Sequence, residues 1–424
     1  ASDVYKRQMP PSLARRVTGL KPSVTIGFMN RAMAMKAAGK DVLSFAAGEP
    51  DFDTPDIIKQ AAIDALKAGQ TKYMPTLGDT ASRAAIADKL TRENAISGLT
   101  PDHVGISAGG KHALYGLMQC LFDTSRPEER KELLLPVPAW VSYAPLAELA
   151  GAKVVQLPTS PERAFKITPE HLKAAITPLS RALVLNSPSN PTGSMYTEAE
   201  LRALAKVVAD SAAIAPELVL ITDEIYEKII YAGIPHFSIG AIPEVADRTI
   251  TVNGLSKAFA MTGWRIGYSA CPGEFGLRLM KAMATIQGQM TTNITSFVYP
   301  AIRVALTSCA DDVERMRAQF EKRATLITQR LRAIRQFTVP TPMGAFYSFP
   351  DVSQLFGRLT PGGRALGSAL DIAEALLEES LIAVVPGEDF GGCAGNHIRI
   401  SFACSEEQIT QGMDRLDKFV ASLK

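Results

Sequence analysis

The sequence predicts an α/β chain in which a largely parallel β-sheet is covered by helices on both faces. Three observations carry that expectation. Four short, mostly apolar runs, HVGISAGG, RALVLNSPSN, ELVLITDEIY and RTITVNGLSK, each end abruptly in polar residues. Segments with helical apolar spacing and helix end signals lie among them. The chain has 424 residues, 46% of them hydrophobic, enough to bury a large core.

Taken in order, TPDIIKQAAIDALKAG is expected to be a helix with Thr54 as N-cap, Pro55 in the first turn and Gly69 as the stop. TEAELRALAKVVAD opens with a capping box of Thr197 and Glu200, and SEEQITQGMDRL repeats it with Ser405 and Gln408. From Asp311 to Phe337 one long amphipathic helix is expected, with Val313, Met316, Phe320, Ile327, Leu331 and Ile334 on its stripe. Acids Asp311, Asp312, Glu314 and Glu321 interleave with its arginines, which favours a bridge between two domains over a nucleic-acid helix. A prior of about 150 residues per domain allows two or three, and two are expected.

Lys and Arg total 45 against 43 acids, so a formal charge of +2 provides no long-range field for nucleic acid or anionic lipid. No apolar run approaches the ~18 residues of a membrane span, and no signal-peptide core is present, so the chain reads as soluble and cytoplasmic. Cys120, Cys271, Cys309, Cys393 and Cys404 are odd in number and far apart, which reads as reduced thiols. The five histidines are scattered without metal spacing, so no metal is expected. The opening ASDVYKRQ resembles a translated sequencing adapter, so residues 1–8 are expected to be a non-native leader, with Met9 as the start.

In parallel sheets ligands gather beyond the carboxyl ends of the strands. Gly109, Gly110 and Lys111, Asn186 and Asn190, Asp223 and Tyr226, and Ser256 and Lys257 are therefore expected to converge. Lys257 becomes a nucleophile only when neutral, so its ordinary pKa of about 10.4 must fall. Arg265 stands close by in NGLSKAFAMTGWRIGY, a stretch without an acid. Because an arginine cannot deprotonate, the pair calls for an anionic ligand between them or a lysine already in imine linkage. Gly109 and Gly110 precede a helix and leave N–H groups for a phosphate, although a plain tight turn would look the same. Asp223 at a strand end needs a cationic partner, either a protonated ring nitrogen or a structural salt bridge. Asn190 before Pro191 can donate an amide proton to a ligand oxygen. Trp140 can stack on a flat ring or belong to the core. Together these residues fit pyridoxal 5′-phosphate.

The segment GLSKAFAMTGWRIG is similar to the lysine signature of the class I and II aminotransferases of pyridoxal-phosphate fold type I. NSPSNPTG, TDEIYE, SAGGKHAL and AAGEPDFDTP stand in the family's order, and the resemblance runs from about Arg15 to the C-terminus. It implies a large domain with a mostly parallel seven-stranded sheet between helices, plus a smaller α+β domain. The implied division is an N-terminal segment with part of the small domain over 9–48, the cofactor domain over 49–305, and the small C-terminal domain with the long interdomain helix over 306–424.

By resemblance, Lys257 carries the cofactor and shuttles a proton, Asp223 holds the pyridine nitrogen protonated, and Asn190 and Tyr226 bond the ring hydroxyl oxygen. Trp140 stacks on the ring. Arg265, the Gly109–Gly110 backbone and Ser256 look like phosphate ligands, with Tyr73 reaching the phosphate of a neighbouring subunit in a homodimer. Many relatives have a serine three residues before the lysine where this chain has Gly254, which weakens the reading of Ser256. Arg399 in HIRISFA matches the arginine that clamps the substrate α-carboxylate, and Gly48 completes that pocket. Lys111 in GGK is placed to meet a distal carboxylate, with Ser23 and Thr25 as hydroxyl candidates beside it. The implied reaction is transfer of the amino group between L-aspartate and 2-oxoglutarate, with prephenate as a second acceptor. Aromatic or alanine aminotransferase chemistry, and carbon–sulfur β-lysis, are the alternatives on the same fold.

Overall fold

The computed structural model describes residues 12–20, 24–123 and 129–424. The leader 1–8 and Ser23 lie outside the described residues. Among those described, the strands are β1 (Leu43–Ser44), β2 (Val104–Ser107), β3 (Glu132–Val137), β4 (Lys153–Pro158), β5 (Ser180–Asn186), β6 (Val219–Asp223), β7 (Thr249–Gly254), β8 (Gly267–Ala270), β9 (Tyr347–Ser348), β10 (Ile382–Ala383), β11 (Val385–Pro386) and β12 (Ile398–Ser401).

The four apolar runs form β2, β5, β6 and β7, and they join β3, β4 and β8 in one seven-stranded sheet of order β2-β8-β7-β6-β5-β3-β4. The pairs along β4-β3-β5-β6-β7 are parallel. β8 runs antiparallel to both β2 and β7. The chain therefore leaves β7 at the sheet's carboxyl edge and re-enters on β8 at that same edge. This return holds Lys257 and Arg265 at one place.

Side chains alternate across a strand, so successive residues face opposite layers. Leu133, Val184, Ile221 and Val252 pack with the helix Gly110–Leu121 in one core cluster. Leu134, Leu183, Leu185 and Leu220 pack with the helix Glu198–Asp210 in another. Both faces are covered, as the unbroken apolar runs required.

The capping boxes form as expected, with Thr197 and Glu200 heading Glu198–Asp210 and Ser405 and Gln408 heading Glu406–Ser422. Gly69 stops its helix at φ +74°, a conformation that suits glycine. Thr54 is a correction. The helix Asp56–Lys67 has Pro55 at its N-cap. The Thr54 hydroxyl instead donates to the Ala260 carbonyl at 2.7 Å and accepts from Trp264 Nε1 at 3.1 Å. The long helix spans Ala310–Ala333 and stops short of Phe337, because Ile334 turns to extended backbone. Met316, Phe320, Ile327, Leu331 and Ile334 of its stripe are buried, and Val313 is half-buried.

That helix shares an apolar core with a three-stranded antiparallel sheet, β11-β12-β9, and with the parallel pair β1-β10. Phe28, Phe45, Phe320, Phe346, Ile372, Ile400 and Leu416 fill it. β9 brings Tyr347 and β12 brings Arg399 to the carboxyl edge of the large sheet. Among the described residues no helix is long and apolar enough to cross a membrane.

Candidate active site

A cavity of about 270 Å³ opens beyond the carboxyl ends of the large sheet. Gly110, Lys111, Asn186, Asn190, Asp223, Tyr226, Ser256 and Lys257 all line it, so the polar strand ends converge as the sequence implied. Gly48, Thr25, Trp140, Arg265 and Arg399 line it as well.

Lys257 follows β7, and its ammonium donates to the Gly48 carbonyl. Burial lowers its pKa to about 8; Arg399 and Arg265 add to the fall, and Glu49 and Asp223 oppose it. Asp223 ends β6 and is 6% exposed. Its carboxylate accepts from the Tyr143 hydroxyl at 2.7 Å and the Ile225 N–H at 3.2 Å. Burial raises its pKa to about 6 against those two hydrogen bonds and the charge of Lys257. Burial thus moves each of the two toward its neutral form.

Arg399 is buried, 4% exposed, and Nη1 donates to Asn190 Oδ1 at 3.0 Å while Nη2 donates to the Ala46 carbonyl at 2.7 Å. Its Nε, also buried, has no hydrogen-bond partner among the described residues. Burial lowers its pKa, but an arginine at neutral pH keeps its charge. The NSPSNPTG turn braces this clamp: the Asn190 N–H donates to Asn186 Oδ1 at 2.9 Å, and Asn186 Nδ2 donates to the Asp223 carbonyl at 2.9 Å.

The glycine pair works differently from expectation. The Gly109 N–H is taken by the Ser107 carbonyl at 2.7 Å, so Gly109 itself has no free donor for a phosphate. Its contribution is space, since at φ +89° a Cβ would collide with the Arg265 guanidinium. The first N–H groups of the helix Gly110–Leu121, beginning with Gly110, lack intrahelical carbonyls. Arg265 takes a left-handed backbone, φ +57°, and donates to the Thr262 carbonyl at 2.8 Å. Lys111 lies with Nζ 5.0 Å from the centre of the Trp140 ring, and burial followed by the charge of Arg265 lowers its pKa.

One expectation needs correction. The Thr25 hydroxyl reaches the cavity wall but donates to Asp389 Oδ2 at 2.6 Å, so its proton is committed. Tyr73, expected to serve a neighbouring subunit, is 87% exposed and is not among the residues that line this chain's cavity. Sequence reasoning missed Tyr143, Tyr347 and Asn253. Asn253 is 2% exposed, lines the cavity and has an unpartnered Nδ2. It stands four residues before Lys257 at the end of an apolar run, the same cue that found its neighbours. His236 stands with the buried Glu224 and Glu227, their ligand atoms within 4.8 Å of one another. Lys89 donates to Glu227, and Asn94 Nδ2 donates to both carboxylates at 2.9 and 2.6 Å, so cation and amide already serve that group.

The cavity's donors suit a phosphorylated pyridine aldehyde. Arg265 and the helix start suit the phosphate, Asp223 a protonated ring nitrogen, Tyr226 and Asn190 a ring hydroxyl oxygen, Lys257 the aldehyde carbon, and Trp140 the ring face. The orphaned Asn253 amide is a further donor awaiting an acceptor. In the cofactor-free protein, trapping of Lys257 by a small aromatic aldehyde and borohydride should rise with pH and be half-maximal near 8. Peptide mass mapping measures it. A midpoint near the ordinary lysine value of about 10.4 would contradict the depressed pKa.

The family profile described as aminotransferase class I and II matches residues 40–416. The chain is 41% identical over 413 residues to an aspartate aminotransferase of Bacillus sp. strain YM-2, covering 97% of this chain and 100% of that one. It is 41% identical over 412 residues to an aspartate/prephenate aminotransferase of Cereibacter sphaeroides, covering 97% and 99%. Among solved structures, the aspartate aminotransferase of Rhizobium meliloti superposes with a TM-score of 0.91 at 36% identity, covering 98% and 100%. That of Thermus thermophilus with maleate gives 0.87 at 39% identity, covering 97% and 100%. With its fold, its lysine at the β7–β8 return and its full-length relatives in agreement, the chain is a member of the class I and II aminotransferase family, built on fold type I.

Proposed function

We propose that this aminotransferase is pyridoxal-phosphate-dependent and moves an amino group reversibly between L-aspartate and 2-oxoglutarate, giving oxaloacetate and L-glutamate, with prephenate as a second acceptor. The observation that carries the reading is that Arg399 and Lys111, two cations suited to carboxylates, line the same cavity as Lys257. Relatives named aspartate and aspartate/prephenate aminotransferase support it.

When bound, pyridoxal phosphate supplies an electron sink for the electrons left when a substrate Cα loses its proton. Lys257 would hold the cofactor through Nζ, and its lowered pKa suits the amine to moving the proton at that Cα. Asp223, held by Tyr143 and the Ile225 N–H, keeps the ring nitrogen protonated. Tyr226 and Asn190 donate to the ring hydroxyl oxygen, and Trp140 covers the ring. Arg265, the Gly110 N–H and Ser256 bind the phosphate, and Gly109 leaves room for Arg265. Arg399 holds the α-carboxylate in a two-nitrogen fork that fixes orientation, braced by Asn190 and with Gly48 beside it. Lys111 meets the distal carboxylate as a point charge. Thr25 lines the cavity with its hydroxyl proton given to Asp389, so toward a substrate it offers no proton of its own.

Residues 49–305 serve as the cofactor domain, and part of 9–48 joins 306–424 in the small domain. The working unit is a cytoplasmic homodimer. Ile57, Ile63 and Leu66 of the helix Asp56–Lys67 are each more than 40% exposed, as is Tyr73 shortly after it in the chain. In the dimer Tyr73 reaches the phosphate bound by the partner.

Light scattering on the purified protein should give twice the chain mass of 45.5 kDa, and a monomer that is fully active would remove the shared-site reading. Lys111→Ala should weaken the half-reactions of aspartate and glutamate by about 10- to 100-fold, as expected when a charged carboxylate contact is lost. Those of alanine and phenylalanine should change by less than about threefold. Stopped-flow measurement of each half-reaction decides it, and equal losses for all four substrates would contradict the role of Lys111.

A further inference from the structure

Tyr347 is 1% exposed and sits where the small sheet meets the large one. It pairs in register with Ser401 across β9 and β12. Arg399 is two residues from Ser401 on the same strand, hence on the same face and diagonal to Tyr347. Its guanidinium accordingly lies 4.7 Å from the centre of the Tyr347 ring. The Tyr347 hydroxyl is 2.8 Å from that of Tyr226, and the two rings meet edge to face at 5.8 Å. The other side of that hydroxyl faces Gly48, where a Cβ would come within 2.9 Å of it. The Gly48 carbonyl in turn accepts from Lys257.

We propose that Tyr347 is a positioning residue that couples the two halves of the site, its ring carrying the Arg399 guanidinium and its hydroxyl aiming that of Tyr226. The proposal rests on the roles assigned above to Arg399 and Tyr226. A phenylalanine would fill the same apolar space, so the hydroxyl, wedged between Tyr226 and Gly48, is the part that packing alone does not require. Burial raises the pKa of both phenols, so each remains a neutral donor. When Tyr226 donates to the cofactor's ring oxygen, the remaining proton of the pair is that of Tyr347, which then donates to Tyr226. A donor that itself accepts a hydrogen bond is polarised and donates more strongly. Tyr347 thereby favours the deprotonated ring oxygen without touching it, while its π face meets the positive charge of Arg399.

The test uses the holoenzyme of the unaltered chain, Tyr347→Phe and Tyr347→Leu. Two readouts are taken: the pH titration of the cofactor's visible band, and the Kd of succinate, an unreactive dicarboxylate. In Tyr347→Phe the midpoint of the band should rise by about half a pH unit or more, because Tyr226 becomes a weaker donor. Its succinate Kd should stay within about twofold, because the ring remains under Arg399. Tyr347→Leu should show the same spectral rise and also weaken succinate by about tenfold. A midpoint that stays put or falls in Tyr347→Phe, while the unaltered enzyme titrates, overturns the hydroxyl's role. Unchanged succinate binding in Tyr347→Leu overturns the ring's role. If the unaltered protein has no titrating band, the cofactor assignment itself fails and this proposal falls with it.

Discussion

Positive charge collected in one cavity without equal negative charge is the constraint from which the rest of this structure follows. Among the described residues, Lys257, Arg265, Arg399 and Lys111 share the space with a single lining carboxylate, Asp223. Carbonyl and amide oxygens partly compensate: Gly48 serves Lys257, Thr262 serves Arg265, and Ala46 and Asn190 serve Arg399. Such dipoles orient a cation but do not neutralise it, and for the buried Arg399 an unpaired charge is costly. Under the proposed assignment, anions brought by ligands complete the site. The return from β7 to β8, the helix start after β2 and the small sheet carrying β12 are the devices that hold these cations together.

The cations divide into two kinds, and the division bears on substrate choice under the proposed assignment. Arg399 is planar, buried and braced through Asn190 and Asn186 to the Asp223 carbonyl. A group so fixed suits the α-carboxylate, which every amino acid presents alike. Lys111 is exposed on a flexible stem beside Trp140. A point charge on such a stem tolerates distal carboxylates at different distances, as aspartate, glutamate and prephenate would bring.

Much of this was legible because it is locally encoded. The capping boxes at Thr197 and Ser405, and the strands that end at Asn186, Asp223 and Gly254, depend on neighbours a few residues away. The strands not singled out had weaker signals: β3 contains Pro136, β4 is a half-exposed edge, and β8 has only four residues and runs against its neighbours. Contacts between distant residues left no local trace. Tyr143 meets Asp223 across 80 residues and Tyr347 meets Tyr226 across 121, and no spacing rule links either pair. Arg399 was assigned only through resemblance to the family. Thr54 and Gly109 show the reverse error. Each had the residue type of its expected role, but a tertiary partner took the hydroxyl of one and the carbonyl two residues back took the N–H of the other.

The most direct test of an anion-completed, dicarboxylate-specific site is the visible spectrum of the purified protein before and after L-aspartate is added alone, with alanine and phenylalanine as comparison donors. The account expects a cofactor band that aspartate converts from the aldehyde to the amine form at far lower concentration than the other two. A band that responds only to alanine or phenylalanine would contradict the role of Lys111. No band after addition of pyridoxal phosphate would contradict the reading of the cavity as a cofactor site.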